Sequence, residues 1–301
     1  MKILITGSTG LLGQALSHKL AVAHDVVGVS RHAPTVKLPG RHLLCDLSNE
    51  RQAGELITKE GPFDAVVHTQ ALSDVDRCEQ EPSLAFSQNA ATAQNLLNAL
   101  AGNPAWFFYI STDYVFDGKA QSPYDEQSPV NPISAYARSK VAGERISLQY
   151  ARGIVLRPST LFGPARNNFC NALVNALRSG KPIQVFSDQT TSPTYTEDCA
   201  ETIALLLEAF KGDFGLPAQR IFHVNNTGAC PRSAFARCVA DLLGYPYTVF
   251  EPVKMAEMVR PAPRPAYSAM QSKVLPQVIG RSMRSWDEAL KAYLRQQHWI
   301  N

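Results

Sequence analysis

Tyr136 and Lys140 have the residue types and the spacing of a proton-transfer pair. If residues 134–150 form a helix, side chains one turn apart share a face, and the phenol and the ammonium enter the same cleft. A free phenol has a pKa of about 10, and a fixed positive charge beside it favours the phenolate and lowers that pKa. Thr112 is suited to hold a carbonyl or alcohol oxygen against the phenol. Thr112, Tyr136 and Lys140 therefore predict proton transfer to or from a C–O oxygen.

The N-terminus predicts a source of hydride. Met1–Thr6 is a short apolar run typical of a buried parallel strand, and glycines and a helix-like run follow it. Glycines at such a turn let the backbone approach a pyrophosphate at the helix N-terminus. The spacing is a variant of the dinucleotide-binding fingerprint, and a tight turn without a ligand is the alternative. The predicted cofactor contacts in this segment are Gly7, Thr9, Gly10, Leu11, Leu12 and Gly13.

The segment after the second strand predicts which cofactor binds. Ser30 and Arg31 stand where NAD-binding proteins carry a carboxylate for the adenosine ribose. The planar donors of Arg31 suit a 2′-phosphate, although a solvated surface arginine is the alternative. We therefore expect NADP (NADPH), with NAD as the alternative cofactor. Asp46 and Leu47 follow the third strand, where Asp46 is expected to meet the adenine amino group, to cap a helix, or both.

Composition limits the class of protein. The chain has 301 residues, 45% of them hydrophobic and 18% charged, with a net charge of +3. This fits one large domain, or one domain with a smaller lobe, and gives no reason to expect nucleic acid or a membrane as partner. The six cysteines lack metal-ligand spacing, so we expect reduced thiols and a cytoplasmic location.

Strand-like and helix-like runs alternate along the first half of the chain. The strand-like runs are 25–29, 42–45, 65–68, 106–110 and 154–156, and they predict an α/β protein with a Rossmann-type, doubly wound parallel sheet. Past Arg157 the alternation loosens. We expect an NADP-binding domain over residues 1–157, with later returns of the chain allowed, and a smaller C-terminal α/β substrate lobe over 158–301 that does not fold independently.

Several motifs together resemble a known family. They are His68–Ala71, the octapeptide Ser111–Gly118, the Tyr136/Lys140 pair, Arg157-Pro158 and the segment Arg264–Ser268. The chain resembles the extended short-chain dehydrogenase/reductases, and among them the dTDP-4-dehydrorhamnose reductase branch. The resemblance implies NADPH-dependent reduction of the C4 ketone of a nucleotide-linked 4-keto-6-deoxy sugar, as in dTDP-rhamnose biosynthesis.

The resemblance also implies roles for individual residues. Tyr136 would give the proton to the sugar C4 carbonyl, Thr112 would bind the same oxygen, and Lys140 would hold the nicotinamide ribose. Gln70 and Ala71 would contact the cofactor. The residues expected near the substrate are Asp113 and Tyr114 in the sugar pocket, Asn89 unless it is an exposed helix residue, and Arg264 with Arg260 at the substrate pyrophosphate.

Three positions depart from that branch. Thr160 stands where rhamnose-forming reductases carry a tryptophan against the sugar, which leaves the identity of the sugar open. His68 replaces the usual start of its motif and is either a cofactor contact or a buried structural histidine. Gln14 and Ala15 stand in the first helix, which carries no early glutamate, so no metal is predicted.

Two other functions stay open. One is an NAD(P)-dependent sugar-nucleotide epimerase of the same fold, and the other is a non-catalytic NADP-binding regulatory subunit. Dehydration is disfavoured because Tyr114 follows Asp113 where dehydratases of this superfamily carry a glutamate. The expected partner is a nucleotide-sugar substrate, with the protein itself a monomer or homodimer.

Overall fold

A computed structural model describes residues 1–165, 168–211 and 219–301 of the chain. Its strands are β1 Lys2–Thr6, β2 Asp25–Ser30, β3 Arg41–Leu44, β4 Ala65–His68, β5 Trp106–Ile110, β6 Gly153–Arg157, β7 Leu161–Phe162, β8 Ile183–Phe186, β9 Thr190–Thr191, β10 Thr194–Tyr195, β11 Ile221–His223, β12 Cys230–Pro231 and β13 Phe250–Val253. Its α-helices are α1 Leu11–Leu20, α2 Glu50–Glu60, α3 Val75–Gln80, α4 Pro82–Phe86, α5 Thr92–Ala99, α6 Ala135–Gln149, α7 Phe169–Ser179, α8 Thr196–Ala209, α9 Arg232–Leu243, α10 Leu275–Ile279 and α11 Trp286–Gln296.

The main sheet has seven strands within the described residues, in the order β11-β6-β5-β4-β1-β2-β3, and all its pairings are parallel. The order runs outward in both directions from the neighbours β1 and β4. The predicted doubly wound sheet is therefore confirmed. In this topology a ligand binds at the carboxyl ends of the strands, where the order reverses.

The central strands are buried along their whole length. β4 and β5 have no exposed residue, as expected of parallel strands that helices cover on both faces. One apolar core joins the sheet to α1 and α8, and a second joins the opposite face to α2 and α5. The sheet is thus a rigid support for the loops at its carboxyl edge.

The later part of the chain contributes to both lobes. β11 pairs with β6 at one edge of the main sheet, and α8 packs on α1 in the first core. A separate apolar core gathers around α7, α9 and α11 and forms the second lobe. Residues after 157 therefore contribute both to the main sheet and to this separate core.

Helix α6 carries Tyr136 and Lys140, and its start and its packing are both defined. The Ser134 side chain caps it by accepting a hydrogen bond from the Ala137 N–H. Farther along, Gly143 faces the Tyr109 hydroxyl, which donates to the Asn89 carbonyl at 2.6 Å. A side chain at position 143 would overlap both groups, so α6 lies against β5 and the Ser87–Ala91 π-helical turn at the distance that glycine permits.

Over the described ranges, no helix combines the length and the apolar character that crossing a membrane requires.

We predict that Gly143→Ala destabilises the protein. A Cβ there would lie 2.6 Å from the Asn89 carbonyl oxygen and closer still to the Tyr109 ring, and overpacking of this kind costs about 1–3 kcal/mol. Gly54→Ala in α2 is the matched control, because its Cβ would meet nothing within 4 Å and should stabilise the helix by about 0.5–1 kcal/mol. Urea unfolding measures both. Equal stability changes in the two variants would contradict the tight packing of α6.

Candidate active site

A cavity of about 430 Å³ opens at the carboxyl edge of the sheet, between the β1 and β4 ends and beside α6. It brings together most of the residues singled out from the sequence. Those that line it are Gly7, Thr9, Gly10, Leu11, Leu12, Gly13, Ser30, Arg31, Gln70, Ala71, Thr112, Asp113, Tyr136 and Lys140.

Other lining residues were not assigned cofactor or catalytic roles from the sequence. They are His32, Thr69, Ser73, Ile110, Ser111, Pro158, Ser159, Thr160 and Leu161. Most of them directly follow the ends of β2, β4, β5 or β6. Their position after a buried strand is the signal that would have found them, because carboxyl ends of parallel strands share one edge.

The glycine turn fits a dinucleotide. Gly7 has a φ of +66°, which favours glycine, and a Cβ there would lie 2.8 Å from the Gln70 backbone nitrogen. Gly10 precedes α1 without a side-chain cap, and the first turn of α1 holds no acidic residue. The first N–H groups of the helix therefore face the cavity as an anion site. The Gln70 Nε2 is buried beside it without a hydrogen-bond partner, which suits a polar ligand.

The adenosine end is only partly formed by the predicted residues. Ser30 and Arg31 line the cavity, and Arg31 is exposed. Asp46 and Leu47 lie outside the lining: Asp46 accepts hydrogen bonds from Ser48, and Leu47 is buried in the core. The alternative of a helix cap at Asp46 is wrong, since Asn49 caps α2.

Lys140 reaches the end of β5. Its Nζ donates to the Ile110 carbonyl at 2.6 Å and lies 4.2 Å from the centre of the Tyr109 ring. Burial lowers the pKa of Lys140 to about 7, although the carboxylate of Glu144, one turn later in α6, raises it in part. The lysine is therefore divided between its charged and neutral forms near neutral pH.

The pKa of Tyr136 differs from the expectation. The spacing predicted a pKa lowered by Lys140, but burial raises it, and the nearby Thr112 hydroxyl offsets only part of the rise. The physical reason is that the Lys140 ammonium is turned to the Ile110 carbonyl and is itself depleted of charge by burial. In this arrangement Tyr136 is a protonated phenol at neutral pH.

Asp113 is held by hydroxyl groups from three segments. It accepts from Thr112 at 3.1 Å, from Ser159 at 2.7 Å and from Ser268 at 2.5 Å. Burial raises the pKa of Asp113, while these hydrogen bonds oppose the rise. Asp113 therefore joins the β5 end to the β6 end and to the loop that carries Arg264.

Asn89 and Tyr114 lie behind the cavity lining. Asn89 is fully buried, and its amide pairs with the backbone N–H and carbonyl of Leu72 and donates to Ser139 Oγ. It is thus neither an exposed helix residue nor a lining residue. Tyr114 packs edge-on against the Tyr136 ring, and its hydroxyl accepts from Gln189.

Arg264 lies in a different cavity and is paired. Its guanidinium donates to both carboxylate oxygens of Asp76, at 2.9 and 2.7 Å. Arg264 and Arg260 line a second cavity of about 420 Å³ with Phe186, and the Arg260 guanidinium lies over that ring. Burial first, and then the neighbouring Arg264 charge, lower the pKa of Arg260.

A buried ion pair joins α6 to the end of β6. Arg157, at the end of β6, donates to both oxygens of Glu144 in α6, at 2.8 and 2.7 Å. Ser111, the neighbour of Thr112, donates to the same carboxylate at 2.5 Å. No sequence pattern indicated this pair, because a glutamate within a helix is ordinary and its partner lies on a separate strand.

Two further expectations concern histidine and metal. His68 is fully buried between Thr6 and Thr92 hydroxyls, and burial lowers its pKa to about 3, so the structural alternative holds. Within the described ranges, no group of three or more His, Cys, Asp and Glu side chains is placed to hold a metal ion.

Thr160 lines the cavity with an unusual backbone. Its φ is +30°, a region that a β-branched residue rarely adopts. Strained backbone of this kind is concentrated at functional sites, and here it fixes how the chain turns past the mouth of the cavity.

The comparisons with known proteins agree on one family. Residues 1–298 match the family described as RmlD substrate binding domain. The spore coat polysaccharide biosynthesis protein SpsK of Bacillus subtilis is 31% identical over 98% of this chain and 97% of its own length. The dTDP-4-dehydrorhamnose reductase of Mycobacterium tuberculosis is 32% identical over 97% of this chain and 92% of its own. The structure of the Bacillus anthracis dTDP-4-dehydrorhamnose reductase in complex with NADP has a TM-score of 0.86 and 30% identity, covering 98% of this chain and 99% of that one.

We predict that Lys140→Met stabilises the fold near neutral pH. The unfolded chain keeps the lysine proton up to about pH 10.5 and the folded site releases it from about pH 7, so stability rises with pH across this window. The stability of Lys140→Met does not rise with pH in this way, because the variant has no titrating group at this position. At pH 6.5 its free energy of unfolding should exceed that of the unaltered protein by at least about 1 kcal/mol, which corresponds to about one pKa unit. The difference between the two free energies should be smaller at pH 9.

Urea unfolding at the two pH values measures the gap. Lys59→Met, at a surface lysine paired with Glu55, is the control and should show no such narrowing. If the difference in the free energy of unfolding between Lys140→Met and the unaltered protein does not change with pH, the lowered pKa of Lys140 is wrong.

Proposed function

The chain belongs to the RmlD substrate binding domain family, and on that premise we propose that it is an NADPH-dependent oxidoreductase that reduces the C4 ketone of a nucleotide-linked 4-keto-6-deoxy sugar. The membership confirms the resemblance drawn from the motifs. The observation that carries the proposal is that one cavity joins the glycine turn to Thr112, Tyr136 and Lys140. A hydride-carrying cofactor and a proton donor therefore meet at one place.

NADPH, when bound, supplies the hydride that reduces the carbonyl carbon. Gly7, Gly10 and the α1 N-terminus would hold its pyrophosphate through backbone N–H groups. Arg31 would hold the 2′-phosphate through charge-assisted hydrogen bonds, and its lining neighbours Ser30 and His32 carry no carboxylate. The bound NADP in the Bacillus anthracis structure supports this assignment.

The chain's own residues move the proton. The raised pKa of Tyr136 keeps the phenol protonated at neutral pH, so it can give its proton to the sugar oxygen. The Thr112 hydroxyl would hold the same oxygen. Lys140, one turn away on α6, would stabilise the phenolate that remains and contact the nicotinamide ribose.

The second lobe would hold the rest of the substrate. Arg260 and Arg264 lie together on a proline-rich loop, and their mutual repulsion suits a doubly charged diphosphate. Asp76 orients Arg264 from the first lobe. Asp113 would border the sugar with Tyr114 behind it, and Thr160 in place of a tryptophan leaves a less aromatic wall.

The location and assembly are also proposals. The cysteines are free thiols, five of them buried, which supports a reducing compartment such as the cytoplasm. We propose that the protein is a monomer or a homodimer.

Tyr136→Phe should lower kcat by about 10²- to 10⁴-fold while NADPH binding changes little, because only the transferred proton is removed. Steady-state rates and a fluorescence titration with NADPH measure the two effects. Tyr245→Phe, at a partly exposed tyrosine of the second lobe, is the matched control. Near wild-type turnover in Tyr136→Phe would remove Tyr136 from the mechanism.

The substrate class is tested by NADPH consumption with nucleotide-linked 4-keto-6-deoxy sugars, the same sugars without the nucleotide, and an aliphatic ketone. We expect the nucleotide sugars to exceed the others in kcat as well as in kcat/KM, because remote diphosphate binding positions the sugar for reduction.

Other results point elsewhere. Equal efficiency with a free ketone would indicate a small-carbonyl reductase. Interconversion of sugar isomers without net NADPH consumption would indicate an epimerase. Tight NADPH binding with no turnover on any sugar would favour the regulatory subunit.

A further inference from the structure

His42 is not among the lining residues of the cavity, but it connects two segments that line it. It stands on the edge strand β3, opposite Gly28 of β2. Its Nδ1 lies 3.2 Å from the Ser8 hydroxyl in the glycine turn, and its Nε2 lies 3.0 Å from the Ser30 hydroxyl at the end of β2. One imidazole therefore joins the turn for the pyrophosphate to the turn that carries Arg31.

Gly28 leaves the room for this contact. A Cβ at position 28 would lie 2.9 Å from Ser8 Oγ and 3.1 Å from His42 Nδ1. Glycine within a strand often marks a close approach of other groups, and here the approaching groups are the serine and the imidazole.

The contacts of Ser30 determine the direction of its hydrogen bond with His42. Ser30 Oγ donates its single proton to the His32 carbonyl at 2.5 Å, so His42 Nε2 must donate to Ser30 Oγ. Burial lowers the pKa of His42, which favours the neutral ring with Nδ1 as an acceptor. The Ser8 hydroxyl then shares its proton between His42 Nδ1, at 3.2 Å, and the Val29 carbonyl, at 3.3 Å. The hydrogen bonds then run in one direction, from Ser8 through His42 and Ser30 to His32.

We propose that His42 is a positioning residue that determines the preference for NADPH. By donating to Ser30 it keeps that hydroxyl on the His32 carbonyl, which closes the turn around Arg31 and sets the guanidinium at the cavity rim for the 2′-phosphate. This inference rests on the proposed function, because it assumes that Arg31 reads the 2′-phosphate.

The two ring nitrogens can be tested separately. In His42→Asn the side-chain amide sits where Nδ1 was, so the Ser8 contact remains and the Ser30 contact is lost. In His42→Gln the amide nitrogen reaches the Nε2 position and keeps the donor to Ser30. We expect NADPH binding to weaken about 3- to 10-fold in His42→Asn, the worth of one net hydrogen bond, and to stay within about 2-fold in His42→Gln.

Fluorescence titrations with NADPH and with NADH, without sugar substrate, measure these effects. NADH binding should change by less than about 2-fold in both variants, because it has no phosphate for Arg31. In an Arg31→Ala background, His42→Asn should weaken NADPH binding no further, since both changes remove one interaction. A merely structural role would weaken both cofactors and would add to the Arg31 effect.

Two other variants protect the test. His24→Asn makes the same substitution at a buried histidine just before β2, beside Glu208, and should leave both affinities unchanged. If His42→Asn does not fold, Ser30→Ala tests the same hydrogen bond by removing the hydroxyl that His42 contacts. It should show the same selective loss of NADPH affinity. Unaltered protein that binds NADPH and NADH equally would overturn the cofactor assignment along with this inference. An NADPH preference that survives in His42→Asn and Ser30→Ala would overturn only the role of His42.

Discussion

The buried pair of Glu144 and Arg157 is the constraint on which the geometry of the site depends. Glu144 lies in α6 one turn after Lys140, and Arg157 ends β6, so the pair fixes the helix against the strand ends. Both residues are almost fully buried. Such a pair gains little net stability over apolar packing, but loss of one partner leaves an uncompensated buried charge that costs about 3–5 kcal/mol. The helix therefore cannot slide along the sheet without a large penalty.

Burial and the fixed position of Glu144 together set the pKa of Lys140. The carboxylate of Glu144 opposes the loss of charge from Lys140, while burial promotes it, and the balance leaves the pKa near 7. Burial raises the pKa of Tyr136 and of Asp113 in the same cleft. Titratable groups shifted in opposite directions within one cavity are typical of proton-transfer sites. Burial of the Lys140 charge lowers the stability of the fold near neutral pH, and this lysine lies one turn from the Tyr136 phenol.

The sequence predicted what depends on local patterns. The alternation of strands and helices indicated the parallel sheet, and the glycine spacing and the Tyr136/Lys140 spacing located two walls of one cavity. What the sequence did not predict depended on contacts between distant segments. The bond of Ser268 to Asp113, the pairing of Arg264 with Asp76, and the buried amide of Asn89 leave no local signal. The direction of the Tyr136 pKa shift was wrong because spacing reports proximity but not burial.

Asp113 links the β5 end, which carries Thr112, to the loop that carries Arg264. Its carboxylate accepts hydrogen bonds from hydroxyl groups at the β5 end, after the β6 end and in the loop that continues from Arg264. One buried acceptor therefore connects these three segments. The Asp76–Arg264 pair fastens the same loop to α3 of the first lobe. A loop held at two points by buried or half-buried polar contacts cannot shift without leaving polar groups unpaired, which is costly. If the proposed contacts of this loop with a diphosphate and of Thr112 with a carbonyl are made, the fold sets the distance between the two groups, which is the condition for remote binding energy to serve the reaction.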